Sequence, residues 1–126
     1  SFASGCLYCQ AHTILGAERF GCTKKRLEEV WNYANSSAFS NAEKAALDFA
    51  FAAASVPNKV TEQEVSQLKN YWDDYDIVEI MGVIALFGFL NRWNDSMGSA
   101  LEDLPTEKGK EHLMENTNWT PGKHRV

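Results

Sequence analysis

Gly5-Cys6-Leu7-Tyr8-Cys9-Gln10-Ala11-His12-Thr13-Ile14-Leu15-Gly16-Ala17-Glu18-Arg19-Phe20-Gly21 reads as one helix that carries its chemistry at the front. Ile14, Leu15 and Ala17 give it residues to bury, and Gly21 is a natural stop, so the expected bounds are Cys6 to Phe20. Cys22 then falls in the turn. An α-helix turns about 100° per residue, so side chains three apart climb one face. Cys6, Cys9 and His12 therefore share a face if the helix begins at or just before Cys6.

The rest of the chain repeats the helical pattern. Thr23 can cap a second helix whose apolar residues Leu27, Val30, Trp31 and Ala34 follow helical spacing up to the polar run Asn35-Ser36-Ser37. Ser40 with Glu43 forms a capping-box pattern for a helix from Ala42 to Ala54, which Pro57 closes. Thr61 with Glu64 forms a second such box for a helix running to about Tyr71. The longest segment runs from Asp74 to Met97 and is apolar around its circumference. It is expected to be buried on most sides, either central to the domain or shared with another subunit. Its run from Ile80 to Leu90 is well short of the roughly 20 apolar residues of a membrane span. Gly82 and Gly88 suggest places where another helix approaches closely. A short helix from Glu107 to about Glu115 follows Pro105, and the tail from Asn118 is expected to pack over the body. No segment alternates with period two, so the fold class is all-α, a single domain of about five to six helices spanning residues 1–126.

The chemistry follows from the first helix. Unpaired N–H groups and the positive end of the dipole at a helix N-terminus favour a thiolate, as does a second cysteine or an imidazolium nearby. Cys9 has all three within reach, and His12 can take or return a proton. A redox-active CxxC pair is the leading reading. Zinc is the competing one, with Cys6, Cys9 and His12 as three ligands and Cys22, His112 or His124 as the fourth, but no second CxxC or HxxxH supports it. The expectation is therefore no metal and no bound cofactor.

Gly5-Cys6-Leu7-Tyr8-Cys9-Gln10-Ala11-His12-Thr13, Gly88-Phe89-Leu90-Asn91-Arg92-Trp93-Asn94-Asp95 and Trp119-Thr120-Pro121-Gly122-Lys123-His124 resemble the alkylhydroperoxidase AhpD-like members of the carboxymuconolactone decarboxylase family, in particular its peroxidase-related branch. The resemblance implies an AhpD-like helical domain and an antioxidant oxidoreductase that reduces alkyl or hydrogen peroxides through a disulfide cycle. Cys9 would be the attacking thiol, Cys6 the resolving one and His12 the relay histidine, with an external dithiol or thioredoxin-like reductant as partner. It also implies a homo-oligomer. The family's relay glutamate lies on a helix upstream of the motif, so the chain is expected to lack N-terminal helices. Asp76 and Glu79 are the local candidates for the missing acid, Glu79 the stronger because its neighbours are apolar. Asn91 and Arg92 either line the pocket above the thiols or return the helix to solvent. Tyr8, Trp31, Phe87, Phe89 and Trp93 read as core or subunit-interface aromatics, in surroundings that would suit a lipophilic hydroperoxide. The alternatives are a thiol-disulfide oxidoreductase or redox sensor, a lyase with the family's decarboxylase chemistry, and a non-catalytic helical oligomer.

Composition limits the partners. The chain has 44% apolar and 23% charged residues, enough to bury a core. A net charge of −5 argues against nucleic acid. The basic cluster Lys24-Lys25-Arg26 is followed by Glu28 and Glu29, so it reads as a solvated helix face. Three cysteines suit a reactive pair plus a leftover in a reducing compartment, and a cytoplasmic location is expected. Three glycosylation-type tripeptides, at Asn35, Asn94 and Asn118, are short enough to arise by chance.

Overall fold

The computed structural model describes residues 1–125, and among them every regular element is helical. The elements are α1 (Leu7–Arg19), α2 (Lys24–Glu29), a 3-10 turn (Val30–Asn35), α3 (Asn41–Ala54), α4 (Glu62–Lys69), α5 (Asp74–Met97), α6 (Asp103–His112), α7 (Met114–Thr117) and a closing 3-10 turn (Gly122–His124). The all-α expectation holds. Helix α1 is the hub, packing most extensively against α6 and also against α5, α2 and the closing turn.

Local sequence explains most of the boundaries. Cys6 caps α1, and Gly21 follows it with a φ of 87°. Both capping boxes form, Ser40 with Glu43 on α3 and Thr61 with Glu64 on α4. Asp73 caps α5 through the Asp76 N–H, and Gly98 ends it in the left-handed conformation.

Four expectations need correction. The second helix does not run through to Ala34, because Asn32 leaves helical geometry (φ −123°, ψ 33°) and the chain tightens into the 3-10 turn. The sixth helix starts at Asp103, not Glu107, because a proline in the first turn lacks only an N–H that has no intrahelical partner. Helix α5 is not central to this chain. Asn91 is its single buried residue, while Val78, Val83, Leu86, Phe89 and Trp93 are more than half exposed. A Cβ placed on Gly82 would meet no atom within 4 Å, and one on Gly88 would meet only the Arg92 side chain. The close approaches are elsewhere, at Gly109, where an added Cβ would fall 2.5 Å from the Trp119 ring, and at Gly122, where it would fall 2.8 Å from Leu7.

The core gathers Ala11, Ile14, Leu27, Leu101, Leu113 and Trp119, so it is built on α1 and closed by the C-terminal third of the chain. No helix among the described residues is long and apolar enough to cross a membrane.

Candidate active site

Cys6 occupies the N-cap of α1 in an extended conformation, and its sulfur accepts the Cys9 backbone N–H at 3.3 Å. A hydroxyl or carboxylate usually fills that place. A sulfur receiving a helix N–H at the positive end of the dipole is held ready for negative charge. Cys6 is fully buried and Cys9 is 3% exposed.

The two sulfurs are not equivalent. Burial pushes the Cys9 thiol up to about 12, and its hydrogen bond to Cys6 and the Cys6 charge push the same way. The Asn94 amide opposes them, with Nδ2 3.9 Å from the Cys9 sulfur. Burial thus disfavours charge on the Cys9 sulfur, while the helix N–H is donated to the Cys6 sulfur. Thr13 anchors the same turn, its hydroxyl donating to the carbonyls of Cys9 and Gln10 at 2.8 and 2.9 Å.

Asn94 is itself fixed. Its Nδ2 donates to the Leu90 carbonyl at 3.0 Å, and its Oδ1 accepts the Ser99 hydroxyl at 2.8 Å. The Ser99 carbonyl lies 2.9 Å from Nδ1 of His124, a fully buried histidine whose backbone carbonyl accepts the Leu101 N–H at 2.8 Å. Asp95 stands 3.5 Å from His124 Nε2, its carboxyl held below the usual range by Lys123 first and His124 after it.

His12 has a carboxylate, and it is neither Asp76 nor Glu79. His12 Nε2 lies 2.9 Å from Glu102, the residue that precedes α6. Its own backbone N–H, then His12, hold the Glu102 carboxyl below the usual range. The Tyr8 ring packs tilted against His12, ring centroids 4.3 Å apart, and lies 5.7 Å from the His124 ring. Burial, then the charges of Glu102, Cys9 and Cys6, raise the Tyr8 phenol. With its side chain one-third exposed, His12 carries the constellation out to solvent.

The other sequence candidates fall elsewhere. Glu79 is exposed, fifteen residues before Asn94 on α5 and therefore roughly 22 Å along the helix from it. Asp76 stays in the first turn of α5, its N–H held by Asp73. Asn91 is buried and accepts the Ser1 hydroxyl at 3.1 Å, on the wall of an apolar cavity of about 400 Å³ that also touches Thr13, Ala50 and Phe87. Neither sulfur lines that cavity. Arg92 folds back to the Gly88 carbonyl at 3.3 Å and lies against Phe89 and Trp93, away from the thiols. Asn94, Ser99 and Glu102 are what the sequence reading missed, and His124, read there only as a candidate zinc ligand, is placed in the hydrogen-bonded chain behind Asn94. Asn94 lies one helical turn beyond Leu90 on the same face, which is the signal the sequence offers for it.

Residues 1–52 match the carboxymuconolactone decarboxylase family. Among solved structures, the chain is similar to the debrominase Bmp8 in its apo form, with 34% identity and a TM-score of 0.83 over 86% of this chain and 59% of that one. It is likewise similar to a cysteine-to-alanine variant of that debrominase in complex with 2,3,4-tribromopyrrole, with 33% identity and a TM-score of 0.84 over 88% of this chain. The chain spans 59% of the length of these proteins. No curated protein matches it.

Proposed function

We propose that this chain, a member of the carboxymuconolactone decarboxylase family through residues 1–52, is a dithiol oxidoreductase that reduces peroxides with the Cys6–Cys9 pair. The observation that carries the reading is the Cys6 sulfur at the N-cap of α1, taking the Cys9 N–H, with Cys9 three residues on. A thiolate so placed attacks the outer oxygen of a hydroperoxide. The O–O bond breaks, Cys6 becomes a sulfenic acid, and the alkoxide leaves with a proton supplied through His12. The Cys9 thiol then attacks the sulfenic sulfur, forming the disulfide and releasing water. An external dithiol of the thioredoxin type returns two electrons and two protons. This order makes Cys6 the attacking sulfur and Cys9 the resolving one, the reverse of what the family resemblance implies. Glu102 holds the His12 ring, and Asn94 holds Cys9. We extend the proposal to a homo-oligomer, supported by the apolar residues that α5 leaves exposed.

A second reading is supported by the likeness to a debrominase. The same dithiol could remove a halogen from an electron-rich ring. The Cys6 thiolate takes bromine as a sulfenyl bromide, the ring carbon takes a proton, and Cys9 displaces bromide to give the same disulfide. Either substrate is reduced by two electrons.

Single-turnover reactions of the fully reduced protein with an alkyl hydroperoxide and, separately, a bromopyrrole distinguish the readings, with thiols counted by mass spectrometry. Peroxidase chemistry gives one alcohol and one Cys6–Cys9 disulfide per chain, no reaction in Cys6→Ser, and a trappable Cys6 sulfenic acid in Cys9→Ser. Bromide release with thiols indifferent to peroxide replaces the first reading with the second. Thiols that respond to neither overturn both.

A further inference from the structure

We propose that Glu18, Glu111 and His112, at the junction of α1, α2 and α6, form a binding site for a zinc-class divalent cation, separate from the thiols. His112 is 2% exposed, and neither ring nitrogen has a hydrogen-bond partner. A buried polar nitrogen without a partner is destabilising and calls for an ion or a water beside it. The ring does not face apolar surroundings. Its Nε2 lies 3.6 Å from Glu18 Oε1 and 3.7 Å from Glu111 Oε1, too far to bond. These three side chains bring one ligand atom each to within 4.8 Å of one another. Ligand atoms each about 2.0–2.1 Å from a shared tetrahedral ion stand roughly 3.4 Å apart, so a small contraction would bring these onto one. Imidazole with two carboxylate oxygens is a donor set that zinc accepts, leaving a fourth position for water.

The surroundings add the outer shell such a site needs. Glu28 Oε1 lies 3.8 Å from His112 Nδ1, on the side of the ring away from Glu18 and Glu111. On closing to hydrogen-bond distance, that carboxylate would fix the tautomer that offers Nε2 to a metal. Lys108 holds the second Glu111 oxygen, Oε2, at 2.8 Å, leaving Oε1 for the ion. It also touches Glu18 Oε1 at 2.9 Å, so it competes for that one ligand. Glu18 is twelve residues after Cys6, roughly 18 Å along α1, so the site is distinct from the redox pair.

Calorimetric titration with Zn²⁺ of the Cys6→Ser/Cys9→Ser protein, whose motif thiols cannot ligate, tests this directly. One equivalent is expected to bind. Glu111→Gln, at an exposed position that cannot threaten the fold, should weaken binding at least ten-fold, as should His112→Gln. Lys108→Met should tighten it, and Glu102→Gln should leave it unchanged. Ring resonances of His112 should shift on addition of one equivalent and not beyond it. The proposal fails if Zn²⁺ does not bind, if binding is indifferent to Glu111→Gln, or if His112 merely titrates as an imidazolium while its resonances ignore the metal.

Discussion

At the scale of the residue, the proposed proton relay rests on the pairing of His12 with Glu102. A carboxylate on Nε2 sets the tautomer and orientation of the imidazole. Glu102→Gln is expected to slow single-turnover thiol oxidation roughly ten-fold, less than the loss of a general acid–base group itself because Glu102 acts through His12, and to change its pH profile while leaving the fold intact. A rate and profile identical to wild type would remove Glu102 from the relay. The sequence could not have named this acid. His12 and Glu102 are ninety residues apart, and only the docking of α6 on α1 joins them. Cys6 and Cys9 were legible because the relation between them is local, fixed by one turn of helix. What that spacing left open was which sulfur receives the N–H, a matter of where the helix begins to within one residue.

At the scale of the element, boundaries set by neighbouring residues were readable, and those set by distant packing were not. The boxes at Ser40–Glu43 and Thr61–Glu64 each close within three residues, and both formed. By contrast, the exposed state of α5 depends on what the remaining chain covers, which its composition cannot report. Helix α6 shows a close approach that periodicity alone does not reveal. Gly109 faces the Trp119 ring so tightly that a methyl group would clash with three ring carbons at 2.5–2.8 Å. Gly109→Ala should gain helix propensity yet lose about 1–3 kcal/mol overall, because the ring cannot retreat from a full core. Equilibrium urea unfolding measures the balance, and a stabilised variant would show that the ring moves freely.

At the scale of the whole molecule, one pair ties two distant stretches and sets part of the response to acid. Arg26 Nη2 donates to Glu43 at 2.6 Å and its Nη1 to the Ala38 carbonyl at 3.0 Å, joining α2 to the start of α3. Arg26 first, then the Ser40 backbone N–H, hold the Glu43 carboxyl down to about 2, against 4.5 for the free group. A depressed carboxyl contributes stability that is complete above its unfolded value and disappears as pH falls toward the folded one. The stability difference between wild type and Glu43→Gln should therefore be constant above about 4.5 and shrink between 4.5 and 2. Both partners are one-third exposed, so the difference is at most about 1 kcal/mol. Urea midpoints across that interval test it, and a difference that widens on acidification would contradict the assignment.

The stretch around Trp119 also clasps the start of α1. Trp119 donates its indole N–H to the Leu7 carbonyl at 3.1 Å, and His124 anchors both Ser99 and Leu101. A protease trimming inward from the carboxyl side would loosen the helix start that holds Cys6 long before it met any cysteine. The proposed thiol chemistry would thus be silenced by a cut more than a hundred residues downstream of the thiols, leaving both sulfurs chemically untouched.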